Sequence, residues 1–221
     1  MAAAERAVQR WETCGQAWIA VLRHVWTSGV AGMEEYGPII EGPPALFEIA
    51  SLSWEDPLLR KHGDRGRLVR RAQERTRGGP PFEHGSAEHG SAEHGSRLRD
   101  QNGVDQLRWV TNLLRARPWT TSAWISLTVP GEPADSVPHL AALSFRIRGY
   151  RLIMTAMFRS QDVFHGYLSY IPLRGVQLEV ADELGLPPGP LRILIDVPHI
   201  AVSDAERVAG VLTAIPEPNA A

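Results

Sequence analysis

The sequence predicts an α+β fold: a largely antiparallel or mixed sheet covered by helices, with one long buried helix. Three observations predict it. Leu143, Phe145 and Ile147 alternate with Ser144, Arg146 and Arg148, Gly149-Tyr150 turns the chain, and Leu152 to Phe158 returns as a hairpin partner. Residues 164 to 184 form a mostly apolar run with Tyr167, Leu168, Ile171, Val176, Val180 and Leu184, so a helix there needs cover on most sides. The strand-like runs are joined mainly by hairpins, which favours α+β over a regular βαβ alternation.

The remaining elements follow in order. Ala7, Trp11, Cys14, Trp18, Val21, Leu22 and Val25 recur at helical spacing and predict an amphipathic helix over 5 to 27, stopped near Gly29. Gly37-Pro38 and Gly42-Pro43-Pro44 are turn signals. Leu46 to Trp54 reads as a strand broken by Asp56-Pro57. Residues 105 to 117 read as a second helix, with Val104, Leu107, Val110, Leu113 and Leu114 as its stripe and Pro118 as its stop. Thr121 to Val129 alternates as a strand. Gly185 and Pro187-Pro188-Gly189 close the long helix, Leu191 to Val197 is a buried strand, and Ser203 or Asp204 caps a last helix to about Leu212.

The bulk properties suit one domain spanning residues 1–221, with a low-complexity loop at about 60–96. Of 221 residues, 43% are hydrophobic, enough for a core, and a net charge of -2 carries no signature of a nucleic-acid binder. No run reaches the ~18 apolar residues of a membrane span, and residues 1–4 lead into charge without a signal-peptide core. These readings predict a cytoplasmic protein that binds no nucleic acid and no membrane. Cys14 is the only cysteine, which excludes an internal disulfide, and its place on an apolar helical face reads as core. Lys61 is the only lysine, so the positive charge is almost all arginine, a pattern that high-GC coding explains.

Within the loop, Glu-His-Gly-Ser recurs at Glu83, Glu88 and Glu93, with His84, His89 and His94 at a five-residue period. Each step turns about 140° on a 3.6-residue helix, so the three imidazoles share no helical face. A solvent-exposed repeat is the expectation, and no metal site is assigned.

From Arg97 onward the chain resembles the thymidylate synthase family, including its pyrimidine nucleotide hydroxymethylase branch. Gly95-Ser96-Arg97-Leu98-Arg99 is similar to the family's Tyr-Gly-x-Arg-Leu segment, with His94 for the tyrosine. Arg159-Ser160-Gln161-Asp162-Val163-Phe164-x-Gly166 matches the Arg-Ser-x-Asp-x-x-x-Gly signature, and Leu184-Gly185-Leu186-Pro187-Pro188-Gly189 with His199 matches later elements. The resemblance implies a thymidylate synthase-like fold and a homodimer with sheets packed back to back. It also implies that Arg159 and Ser160 bind a substrate phosphate, that Asp162 lies near the pyrimidine ring, and that His199 contacts the sugar. The residue that reads the pyrimidine edge falls at Ser169 or Tyr170.

The departures are chemical. The family's nucleophilic cysteine falls at His139, and imidazole transfers protons well near neutral pH but does not replace a thiolate at a soft ring carbon. The stretch after Pro118 reads Trp119-Thr120-Thr121-Ser122, without the paired arginines that the family brings to the partner's phosphate. Pro38-Ile39-Ile40-Glu41-Gly42 replaces the early arginine loop, Ala201 stands where a tyrosine follows the histidine, and an arginine-rich stretch with Glu74 stands where the family has its tryptophan-rich helix and catalytic glutamate.

Three readings follow. In the first, His139 and Asp162 perform acid-base chemistry, such as isomerisation, dehydration or cyclisation, on a small non-nucleotide molecule in bacterial specialised metabolism, bound by Arg159, Ser160, Ser169, Tyr170 and His199 without a cofactor. In the second, the chain is a non-catalytic binding or interaction protein, with its pocket filled by Tyr170 and Trp119. In the third, it retains folate-dependent C5 transfer on a pyrimidine nucleotide.

Overall fold

A computed structural model of the chain describes residues 8–64, 66–67, 97–100, 103–133 and 136–215. The histidine repeat, Glu74 and most of the low-complexity loop lie outside the described residues.

The architecture is α+β, as predicted. One eight-stranded mixed sheet runs in the order β1-β4-β8-β7-β6-β5, and a β2-β3 hairpin joins it through β3 and β8. The strands are β1 (Gln9–Thr13), β2 (Val30–Glu34), β3 (Gly37–Glu41), β4 (Ala45–Ser51), β5 (Trp124–Ser126), β6 (Leu140–Arg148), β7 (Arg151–Asp162) and β8 (Pro188–Ala201). The helices are α1 (Cys14–Ser28), α2 (Pro57–His62), α3 (Gln106–Ala116), α4 (Tyr167–Leu184) and α5 (Ala205–Ala214), with a 3-10 turn at Val202–Asp204. β1 with β4 and β7 with β8 pair in parallel; the other pairs are antiparallel. No described helix is long and apolar enough to cross a membrane.

Register explains the two faces of the sheet. Phe47, Ile193, Ala156, Leu143 and Ile125 form one row across β4, β8, β7, β6 and β5, and all are buried against the helices. Period-two alternation sends the neighbouring row to the other face. There Leu46, Leu194, Met157 and Ala142 run across four strands, with Leu46 41% and Leu194 36% exposed.

The helix predicted over 5–27 begins instead at Cys14. Thr13 closes a capping box with Gln16, its side chain taking the Gln16 N–H, and Gln9–Thr13 form β1, paired with β4. Helical periodicity in that stretch was therefore misleading, because sheet pairing and the cap outweigh propensity. The turn-rich stretch around Gly37 is the β2-β3 hairpin, and Asp56-Pro57 starts α2 rather than merely ending a strand: Asp56 caps the Leu58 and Leu59 N–H groups, with Pro57 at the first turn. The predicted strand over 121–129 contracts to Trp124–Ser126.

The long buried helix is present as α4, which starts at Tyr167. The residues before it form a turn, with the Phe164 N–H donating to Asp162 Oδ1 (3.0 Å) and the Gly166 N–H to the Val163 carbonyl. Gly185, at φ 66°, ends the helix in a left-handed cap, and the Leu186 N–H returns to the Ala181 carbonyl. Buried Gln177 ties α4 to the sheet by donating to the carbonyls of Leu152 (2.8 Å) and Gly189 (3.2 Å). Trp18 of α1 packs edge-on against Tyr167 and donates its indole N–H to the Phe164 carbonyl at 3.0 Å. These contacts hold the turn between β7 and α4 in place, and that turn carries the polar corner.

Candidate functional site

The parallel pairing of β7 with β8 brings their C-terminal ends together, with Asp162 opposite His199. Ser160, two residues before Asp162, has its Oγ 3.3 Å from His199 Nδ1. The other ring nitrogen, Nε2, lies 3.4 Å from Glu34 Oε2 at the end of β2. His199 is 2% exposed, so this contact is made inside the fold. An acceptor stands at each ring nitrogen, the Glu34 carboxylate at Nε2 and a main-chain carbonyl at Nδ1, and the Ser160 hydroxyl can donate to Nδ1 or accept from it. Val197 O also lies 3.3 Å from Nδ1.

Asp162 forms the second pair. Its Oδ2 accepts from His165 Nδ1 at 2.6 Å, while Oδ1 takes the Phe164 N–H. Burial is the largest influence on Asp162 and opposes its ionisation. The His165 hydrogen bond, the charges of His165 and His199 and the Phe164 N–H together outweigh burial and hold the carboxyl below the usual carboxylate range.

Asp204, at the start of α5, completes a cluster with Asp162 and His165 whose ligand-type atoms all lie within 4.8 Å of one another. Arg207 pairs with Asp204 at 2.9 Å and Asp64 at 3.6 Å, and its guanidinium lies 4.8 Å over the Phe164 ring. The corner thus gathers four carboxylates, Glu34, Asp64, Asp162 and Asp204, around two imidazoles.

Arg159 has a different environment. Its Nε donates to the Pro138 carbonyl (3.2 Å) and its Nη2 to the Val137 carbonyl (2.9 Å), while its N–H bonds the His139 carbonyl (2.9 Å). The side chain thus braces the segment leading to His139. His139 is half-buried and stands opposite Arg159, three strand positions or about 10 Å from Asp162 along β7. A register shift between Leu140 and Ala142 irregularly joins this end of β6 to β7.

Ser169 is half-buried on α4. Tyr170 is 1% exposed, its ring packed edge-on between Phe47 and Phe158. Its hydroxyl is buried without a hydrogen-bond partner among the described residues and lies against Gly166, where an added Cβ would come within 2.6 Å of it. Trp119 is 75% exposed and fills no interior space. Cys14 is fully buried, and burial with the nearby Asp56 charge pushes its thiol far above the ordinary range, so it supplies no thiolate.

Sequence reasoning found Ser160, Asp162 and His199 in this corner and missed Glu34, His165 and Asp204. His165 had a local signal, its three-residue spacing from Asp162 beside a strand end. Glu34 and Asp204 had none, because the hairpin and the turn after β8 deliver them from distant parts of the chain.

No protein-family model matches the chain. A protein of Methanococcoides burtonii named "Putative thymidylate synthase" is 26% identical over 217 residues, covering 92% of this chain and 93% of the relative. One of the same name from Methanosarcina mazei is 25% identical over 222 residues, covering 93% and 94%. A third, from Methanothermobacter thermautotrophicus, is 34% identical over 110 residues, 47% of this chain and 48% of its own.

Proposed function

We propose, from the premise that this chain is a divergent relative of the thymidylate synthases, that it binds a small non-nucleotide molecule at the ends of β7 and β8 and acts on it by acid-base chemistry. The observation that carries the reading is the line Ser160–His199–Glu34, with contacts of 3.3 Å and 3.4 Å. An imidazole with a carboxylate on one nitrogen and a hydroxyl on the other is oriented to take a proton on one side and to be stabilised as its cation from the other. Asp162 with His165 supplies a second proton-transfer pair, and His139 a third imidazole where the family has its nucleophile.

Charge supports a non-phosphorylated substrate. Glu34 places a carboxylate against His199, and Arg159 spends two nitrogens on main-chain carbonyls. At about 1.5–3 kcal/mol per charge-assisted hydrogen bond, losing several phosphate contacts weakens a nucleotide monophosphate by orders of magnitude. Isomerisation, dehydration and cyclisation need no further cofactor, and bacterial specialised metabolism is the setting that fits such chemistry.

One observation favours a second reading, a non-catalytic binding protein: the Tyr170 ring occupies the interior between Phe47 and Phe158. The exposed Trp119 does not share that role.

We further propose a homodimer formed through the sheet face bearing Leu46, Leu194, Met157 and Ala142, an apolar row in which Leu46 and Leu194 are exposed.

A thermal-shift screen tests the function. The expected result is no shift with dUMP, dCMP or folates and a shift with an uncharged aromatic or heterocyclic metabolite, lost in His199→Gln. Tritium release from C5-labelled dUMP would overturn the reading and restore the third one, folate-dependent C5 transfer.

A further inference from the structure

We propose that Asp162, His165 and Asp204 form a binding site for one divalent transition-metal ion. The proposal deepens the acid-base reading, since it uses the same corner, but binding requires no turnover and is measured separately from it.

Three separate elements supply the donors: the last residue of β7, the turn before α4 and the residue that leads into α5. Their ligand-type atoms already lie within 4.8 Å of one another, with Asp162 Oδ2 and His165 Nδ1 at 2.6 Å. Donors bound to one ion at about 2.0–2.2 Å in tetrahedral geometry sit ~3.4 Å apart, so modest side-chain rotations bring this set onto an ion. One imidazole and two carboxylates suit Zn²⁺, Mn²⁺ or Fe²⁺ better than the all-oxygen ions Ca²⁺ and Mg²⁺. Three protein ligands leave a position for water or substrate, the arrangement of catalytic rather than structural sites.

One further observation points to a ligand. The Tyr170 hydroxyl is buried without a partner among the described residues, next to Gly166, the residue that follows His165. Asp64 is already paired with Arg67 and Arg207, and Arg207 also donates to Asp204 Oδ1, so the ion would use Asp204 Oδ2. Ion binding would turn Asp162 from a proton carrier into a ligand, and the Ser160–His199–Glu34 line would keep the proton-transfer role.

The competing metal-binding feature is the histidine repeat, so the test is done in the full chain with His84, His89 and His94 all changed to Gln. After dialysis against EDTA, this protein is titrated with ZnCl₂ and MnCl₂ by calorimetry, and Co²⁺ is added to read ligand-field absorption. The expected result is one equivalent bound with micromolar or tighter affinity, weakened at least tenfold by Asp204→Asn and by His165→Gln, each checked for native circular dichroism. If the repeat variant binds less than about 0.2 equivalents, or if neither Asp204→Asn nor His165→Gln changes the affinity, the proposal is overturned. Should one of these two variants fail to fold, the other decides.

Discussion

Asp162 and His165, three residues apart, share a 2.6 Å hydrogen bond at the point where β7 hands over to α4. The bond links the sheet end to the turn, while the Phe164 N–H occupies the other carboxylate oxygen. It therefore contributes both to local structure and to the charge state of the corner.

The first prediction concerns acid. Burial opposes the ionisation of Asp162, but His165, His199 and the Phe164 N–H hold its folded value below the ordinary one. A carboxyl depressed on folding adds stability at pH values above its unfolded value of about 3.9, and that contribution is lost as pH falls through the folded value. Urea midpoints measured at about pH 7, 4 and 3 should fall in acid. Asp162→Asn should show a shallower acid decline; an identical decline would remove Asp162 as a source.

The second concerns Tyr170. Its hydroxyl is buried without a partner among the described residues, and an unsatisfied buried polar group costs about 1–3 kcal/mol. Tyr170→Phe should therefore leave stability unchanged or raise it by about 1 kcal/mol. Gly166→Ala should destabilise by roughly 1–3 kcal/mol, because its Cβ would lie 2.6 Å from the Tyr170 oxygen and 2.8 Å from Cζ. Combining the two changes should recover part of that loss in equilibrium denaturation.

The third concerns the junction of α1 and α2. Asp56 accepts the Gly15 N–H at 2.8 Å and the Leu58 N–H at 2.9 Å. A Cβ on Gly15 would meet Asp56 Oδ1 at 2.3 Å and Leu58 Cβ at 2.7 Å. Gly15→Ala should cost roughly 2–4 kcal/mol, combining overpacking with a strained buried hydrogen bond. A thermal midpoint within about 2 °C of the parent would contradict this close approach.

The fourth concerns Cys14. Full burial pushes its thiol up, so almost none is thiolate near neutral pH. A disulfide reagent at pH 8 should label the folded protein at least ~100 times more slowly than the urea-unfolded chain. Rapid labelling of folded protein would reveal an opening that exposes α1.

The fifth concerns assembly. Leu194, 36% exposed, sits in an apolar row between Leu46 and Met157. Leu194→Arg should shift light-scattering mass from dimer to monomer while leaving the helical spectrum intact. A parent protein that runs as a monomer would rule out this interface.

Much of this fold was legible along the chain, where signals are local. The β6-β7 hairpin declared itself through period-two alternation and Gly149-Tyr150, and α4 through its long apolar run and the Gly185 stop. The same local reading failed at residues 9–13, where apolar spacing suited a helix but the segment pairs with β4. It also missed the β2-β3 hairpin, whose exposed Val30 and Met33 give no burial pattern. In the corner, the Arg-Ser-x-Asp block was readable because its residues adjoin one another.

By itself, the sequence determined the fold class, the long buried helix and the absence of a second cysteine, and its resemblance named Ser160, Asp162 and His199 as expected site residues. Only the tertiary structure decided the partners. Strand pairing set Asp162 beside His199, the β2-β3 hairpin carried Glu34 to His199, and the start of α5 brought Asp204 to Asp162 and His165. The physical reason is range: alternation and capping act over a few neighbouring residues, whereas a charge cluster depends on distances between residues 34, 162 and 204, which only packing sets.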